Sequence, residues 1–97
     1  MRIITKGTLQ DFWTKNPQAE QALKAWHAEA KSATWLTPED VKEKYGSASI
    51  INSNRVVFNI CGNKYRLVVH IVYRIGCIYI RFIGTHKEYD NINVEEI

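Results

Sequence analysis

Apolar and polar residues alternate most regularly between Arg55 and Thr85. Tyr65 to Tyr73 is rich in β-branched and aromatic residues, as is Ile78 to Thr85, so both read as strands. Val56 to Cys61 reads as a third. Gly62-Asn63 forms the expected turn of the first hairpin, and Ile75-Gly76 that of the second, because glycine supplies the positive φ a tight turn needs. These turns set a register. One face should align Phe58, Leu67 and Gly84, then Val56, Val69 and Phe82, with Ile71 beside Ile80. The other should carry Asn59, Arg66 and Thr85 in one row, Val57, Val68 and Ile83 in the next, and Arg55, His70 and Arg81 in the third. Directly opposed side chains sit about 5 Å apart, so Arg66, Arg81 and His70 are expected in one basic cluster. A slip of one residue in either hairpin would move a whole set of side chains to the other face.

The N-terminal half has a helical period. Arg2 to Thr5 reads as a short edge strand. Thr8, with Asp11 three residues on, reads as an approximate capping box, and Leu9, Phe12 and Trp13 make the buried stripe of that helix. Asn16-Pro17 then caps and starts a second helix, to about Ala33. Its stripe is Ala19, Ala22, Leu23, Trp26, Ala30 and Ala33. Thr37-Pro38-Glu39-Asp40 starts a third, short helix that should stop at Gly46. Ser47 to Asn54 reads as a loop tacked down by Ile50 and Ile51, and Trp13, Trp26 and Trp35 read as core residues. Helices grouped on one face of a mostly antiparallel sheet make a two-layer α+β sandwich. Residues 1–97 are expected to form one domain, with the helices over the Phe58, Leu67, Val69 and Phe82 face and the arginine face open.

Composition narrows the function classes. A chain of 97 residues has room for one modest core. No apolar run approaches the roughly 20 residues that cross a bilayer. The first residues turn polar too soon for a signal peptide, so a cytoplasmic protein with no membrane partner is expected. The net charge of +3 is a mild bias toward polyanions. Mid-strand arginines sharpen it. A guanidinium is costly to bury unpaired, so each must meet solvent, an acid or a ligand anion. Cys61 and Cys77 read as free thiols. His27, His70 and His86 lack paired ligand spacing, so neither a metal nor another cofactor is expected.

Asn63 to Val69 (N-K-Y-R-L-V-V) and Tyr79 to Asp90 (Y-I-R-F-I-G-T-H-K-E-Y-D) resemble the HigB toxins of type II toxin–antitoxin systems, in the RelE-like superfamily of mRNA interferases. The N-terminal helices and W-L-T-P-E-D-V-K-E-K-Y-G also fit, and T-H-K-E-Y-D is the most specific part. The resemblance implies a RelE-like sandwich and an endoribonuclease that cuts mRNA on translating ribosomes. It also implies neutralisation by a HigA-type helix-turn-helix antitoxin. Carried over residue by residue, it points to Arg66, Arg81, His86, Lys87 and Tyr89 as catalytic. Arg55, Lys64, His70 and Arg74 are the further basic side chains expected to touch RNA.

Metal-free RNA cleavage would use the neighbouring 2′-OH as nucleophile, leaving a 2′,3′-cyclic phosphate and a 5′-OH. The protein must take one proton, give another and stabilise charge on the phosphorus oxygens. Arginine forks suit the last task. His86, or His70, suits proton transfer near neutral pH. Tyr89 suits an acid or a stacking platform, and Lys87 a base or a phosphate contact. Two rival readings use the same residues: a non-catalytic RNA- or ribosome-binding module, and a degenerate toxin that only binds its antitoxin. At the side-chain level, the arginines could simply pair with acids of the C-terminal segment.

Overall fold

The chain runs β1 (Arg2–Ile4), α1 (Lys6–Lys15), a 3-10 turn (Pro17–Ala19), α2 (Glu20–Ser32), α3 (Pro38–Lys44), β2 (Ser49–Ile50), β3 (Arg55–Ile60), β4 (Tyr65–Val72), a second 3-10 turn (Tyr73–Ile75), β5 (Cys77–Thr85) and α4 (His86–Asp90). This is a computed structural model that describes residues 1–97. The five strands make one sheet in the order β1-β5-β4-β3-β2. Only the β1–β5 pair is parallel. The fold is the expected α+β sandwich.

Leu9 of α1 and Leu23, Trp26 and Ala30 of α2 pack into one core with Phe58, Leu67, Val69, Ile71 and Ile78 of the sheet. Aromatic edges fix the layer spacing. Phe12 meets Tyr65 at 5.2 Å between ring centroids, and Trp26 meets Phe58 at 5.4 Å. Such edge-to-face pairs contribute beyond their buried area. Trp26 and Trp35 are core residues, as expected, and Trp13 is partly buried beside them.

Helix starts follow local chemistry at α3 but not at α1 or α2. Asn16 makes no side-chain cap, its Nδ2 donating back to the Phe12 carbonyl oxygen, Pro17 opens the 3-10 turn, and α2 begins only at Glu20. Thr37 accepts from the Asp40 N–H, and the Asp40 carboxylate accepts from the Thr37 N–H in return. Thr8 does not cap. It lies inside α1, which begins at Lys6 behind Thr5, held at φ 72° with no side-chain cap. The Ser47–Asn54 segment is not all loop, because Ser49 and Ile50 pair with β3 as an edge strand. Ile50 is exposed there instead of tacking the segment down.

The first hairpin keeps its expected register, with Phe58 opposite Leu67, Asn59 opposite Arg66 and Arg55 opposite His70. The second does not. Its connection is the 3-10 turn closed by Gly76 at φ 68°, so Val72 faces Cys77. A β-bulge then falls between Val68 and Val69. Val69 faces Ile80 and Val68 faces Phe82, so Arg81 has no partner on β4. Arg66 faces Gly84, not Thr85.

This shift corrects the expected faces. Phe82 lies on the open face beside Val57 and Val68, and Ile83 packs against the core in its place. Gly84 makes room for the Phe82 ring. A Cβ at residue 84 would lie 2.6 Å from Phe82 Cζ and 2.9 Å from Glu88 Oε1. That carboxylate oxygen accepts the Thr85 N–H at the start of α4. Gly84→Ala is therefore expected to destabilise the fold by about 1–3 kcal/mol through overpacking. Urea unfolding monitored by tryptophan fluorescence measures the loss.

Candidate active site

The site grows from the end of β5. Thr85 accepts from the Glu88 N–H, and Glu88 accepts from the Thr85 N–H. This reciprocal pair closes the α4 capping box. The short helix then places His86, Tyr89 and Asp90 on one side, since residues three and four apart share a helix face. That side meets Arg66, which rises from the open face of β4.

Arg66 is half-buried and held by neutral acceptors. Its Nη1 donates to Asn59 Oδ1, and to Asn63 Oδ1 at 3.0 Å. Its Nη2 lies 2.7 Å from His86 Nε2. A guanidinium can only donate, so Nε2 must accept, and the imidazole carries its proton on Nδ1. Nδ1 faces Asp90 Oδ2 at 3.5 Å. The guanidinium carbon sits 5.8 Å from the centre of the Tyr89 ring, in cation–π range.

No carboxylate neutralises either strand arginine, because the only close acid–base contacts are Lys24 with Glu20 and His86 with Asp90. The acids of the C-terminal segment thus leave Arg66 and Arg81 charged and available. Arg66 keeps its Nε–H and its second Nη2 hydrogen unclaimed. The arrangement offers a phosphate a fork of donors, with an imidazole nitrogen and a phenol beside it.

The structure divides the expected residues. Arg66, His86 and Tyr89 converge. Arg55, His70 and Arg81 form a second group along the same face, with the His70 ring 6.1 Å from that of Tyr79. Burial holds the His70 pKa below the usual histidine value, with the charges of Arg55 and Arg81 adding to the effect. Arg66 and His70 are four steps apart on β4, about 13 Å at the usual strand rise. The single basic cluster expected from alternation is therefore two clusters, because this length of strand stands between Arg66 and His70 and Arg81 stays near His70.

Other expected residues stand apart. Lys87 is exposed on the flank of α4, next to His86 but off the face that meets Arg66. Lys64 places its ammonium 5.8 Å from the centre of the Tyr65 ring. Arg74 lies in the 3-10 turn at the far end of β4. Asn59 lies opposite Arg66 as expected, whereas sequence reasoning left out Asp90 and Asn63 as partners. The Thr85…Glu88 capping box was the available signal for Asp90, since a helix starting there brings residues 86 and 90 together.

Residues 19–92 match the family model for HigB toxins, described as the RelE-like toxic component of a toxin–antitoxin system. The chain belongs to the HigB toxin family. It is 33% identical over 92 residues to the mRNA interferase toxin HigB of Escherichia coli (strain K12), covering 93% of this chain and 88% of that protein. The mRNA interferase HigB of Shigella flexneri matches equally. That of Escherichia coli O6:H1 is 23% identical over 94 residues, covering 95% of this chain and 91% of that protein. The toxin therefore has an antitoxin as its partner. No helix in it is long and apolar enough to cross a membrane.

Proposed function

We propose that this toxin is an endoribonuclease that cuts mRNA by attack of the 2′-OH on the adjacent phosphorus. One observation carries the reading. The Arg66 guanidinium is charged, free of any carboxylate and held beside an imidazole nitrogen and a tyrosine ring. Arg66 turns its fork to the non-bridging phosphate oxygens and stabilises the charge that builds there. Its movement toward the phosphate frees His86 Nε2 to take the 2′-OH proton. Asp90 holds the imidazole with its other proton on Nδ1 and offsets the charge it gains. Tyr89 supplies the proton for the departing 5′-oxygen. The products are a 2′,3′-cyclic phosphate and a 5′-OH end.

The open face beyond this site carries Arg55, His70 and Arg81, with Lys87 and Lys64 at its margin and Arg74 more remote, and mRNA lies along it. The toxin acts in the cytoplasm on translating ribosomes, as one domain, and a HigA-type helix-turn-helix antitoxin restrains it. The relatives named mRNA interferases support this reading, as does the T-H-K-E-Y-D segment that builds α4.

Induced expression in a bacterial host, with mapping of new 5′-hydroxyl ends, tests the proposal. The expected result is growth arrest with new ends inside translated regions. Arrest with intact mRNA would establish a binding module instead, and unimpaired growth a toxin without activity. Cuts spread equally through untranslated RNA would remove the ribosome from the account.

A further inference from the structure

We propose that Arg55, His70, Tyr79 and Arg81 form a second phosphate subsite. It would hold the RNA backbone two internucleotide steps from the linkage at Arg66, with the Phe82 ring as a base platform between. The inference rests on the reading of this face as RNA-binding and adds a register to it.

Three features carry it. The first is an unfilled donor. Arg55 Nε is buried without a hydrogen-bond partner. A buried donor normally has an acceptor, and none of the surrounding side chains supplies one. Arg55 faces His70 across the β3–β4 pair, and no ion pair claims either Arg55 or Arg81. Two guanidiniums and an imidazole on an open sheet face match a phosphate better than any neutral ligand.

The second feature is spacing. Arg66 and His70 are four residues apart on β4, about 13 Å along the strand. A single internucleotide step is too short to join the two clusters, whereas two steps of an extended strand reach.

The third is what lies between. Val57 and Val68 are 3% and 0% exposed although they face away from the helical layer. Phe82, opposite Val68, remains part-exposed, with its ring tip over Gly84 in the row of Arg66. An aromatic ring between two cationic patches is the arrangement with which single-stranded nucleic acids are held, by stacking on the ring and by charge along the backbone. The bulge at Arg81 is the device that makes both ends possible. Without it the pairing of β5 would have run on to set Arg81 opposite Val68 and Phe82 opposite the core residue Leu67.

The full chain is titrated with a short fluorescent RNA that spans a mapped cleavage position and is 2′-deoxy at the cleaved nucleotide. Neutral methylphosphonate linkages are then moved along it one at a time. In the wild-type protein two linkages should be sensitive, the scissile one and the one two steps away. Arg81→Gln and Arg55→Gln should each weaken binding about tenfold or more. Each should also reduce the slope of log affinity against log salt by about 0.7, the share of one phosphate contact on a single strand. Both variants should become indifferent to the distant neutral linkage while still sensing the scissile one. A wild-type chain that cuts mRNA yet shows no distant sensitive linkage overturns the subsite and leaves the nuclease reading intact. So do variants that keep the wild-type pattern. A wild-type chain that cuts no RNA removes both.

Discussion

Arg66→Ala lowers the rate of RNA cleavage by about 10²- to 10³-fold, the usual loss when a preorganised donor to a transition-state oxyanion is removed. Growth arrest on expression disappears with it. The expectation follows from how the guanidinium is held. Asn59 and Asn63 fix it through neutral oxygens, so its charge is not spent inside the protein. The two amides hold its Nη1 side before RNA arrives, so the release of His86 by Nη2 is the one contact that must change. Arg66→Lys rescues little, because an ammonium cannot reproduce a fork that reaches two amides and a phosphate together. Arg66 is half-exposed on the sheet face away from the main core, so the fold should survive either change. Single-turnover cleavage in a translating extract, with circular dichroism to check the fold, measures the effect. Full activity in Arg66→Ala would end the assignment of this site.

His86→Ala costs about 10²- to 10⁴-fold, the range for a side chain that transfers a proton in the rate-limiting step. Asp90→Asn separates positioning from chemistry. Asp90 does not touch Arg66. It faces the far nitrogen of His86 at 3.5 Å. Its loss should lower the rate by less than His86→Ala does, with substrate affinity unchanged. A merely structural role would leave the imidazole tautomer alone. Nitrogen chemical shifts of the His86 ring should report an Nδ1-protonated form in the wild type and a mixture in Asp90→Asn. Asp90→Glu should restore part of the rate. An unchanged tautomer together with an unchanged rate would show that Asp90 is only a surface acid at the end of α4.

Much of this was legible from the chain, and the reasons are local. Val56–Cys61 and Tyr65–Tyr73 are joined by a short turn, so register depends on residues close in sequence, and Arg55, Asn59, Arg66 and His70 fell where alternation put them. Thr37 and Asp40 formed their capping box because both partners lie within one helical turn. The stripe of Leu23, Trp26 and Ala30 found the core because a period near 3.6 has only one apolar side.

β5 obeyed more distant constraints. β1 pairs with it on one edge, with Ile3 opposite Ile78, and β4 pairs on the other. A strand held from both sides can satisfy both partners by taking up an extra residue, and alternation alone gives no sign of where. The bulge at Arg81 sent Phe82 to the open face and left Arg81 without a partner on β4.

By itself, then, the amino-acid order determined the helical layer, the first hairpin, the open arginine face and the family. Tertiary structure alone decided that the basic face holds two clusters, that Phe82 lies between them, and that Asp90 stands behind His86. Turns and caps act over a few residues, and the order records them. A bulge and a helix–sheet junction depend on what the rest of the chain presses against them.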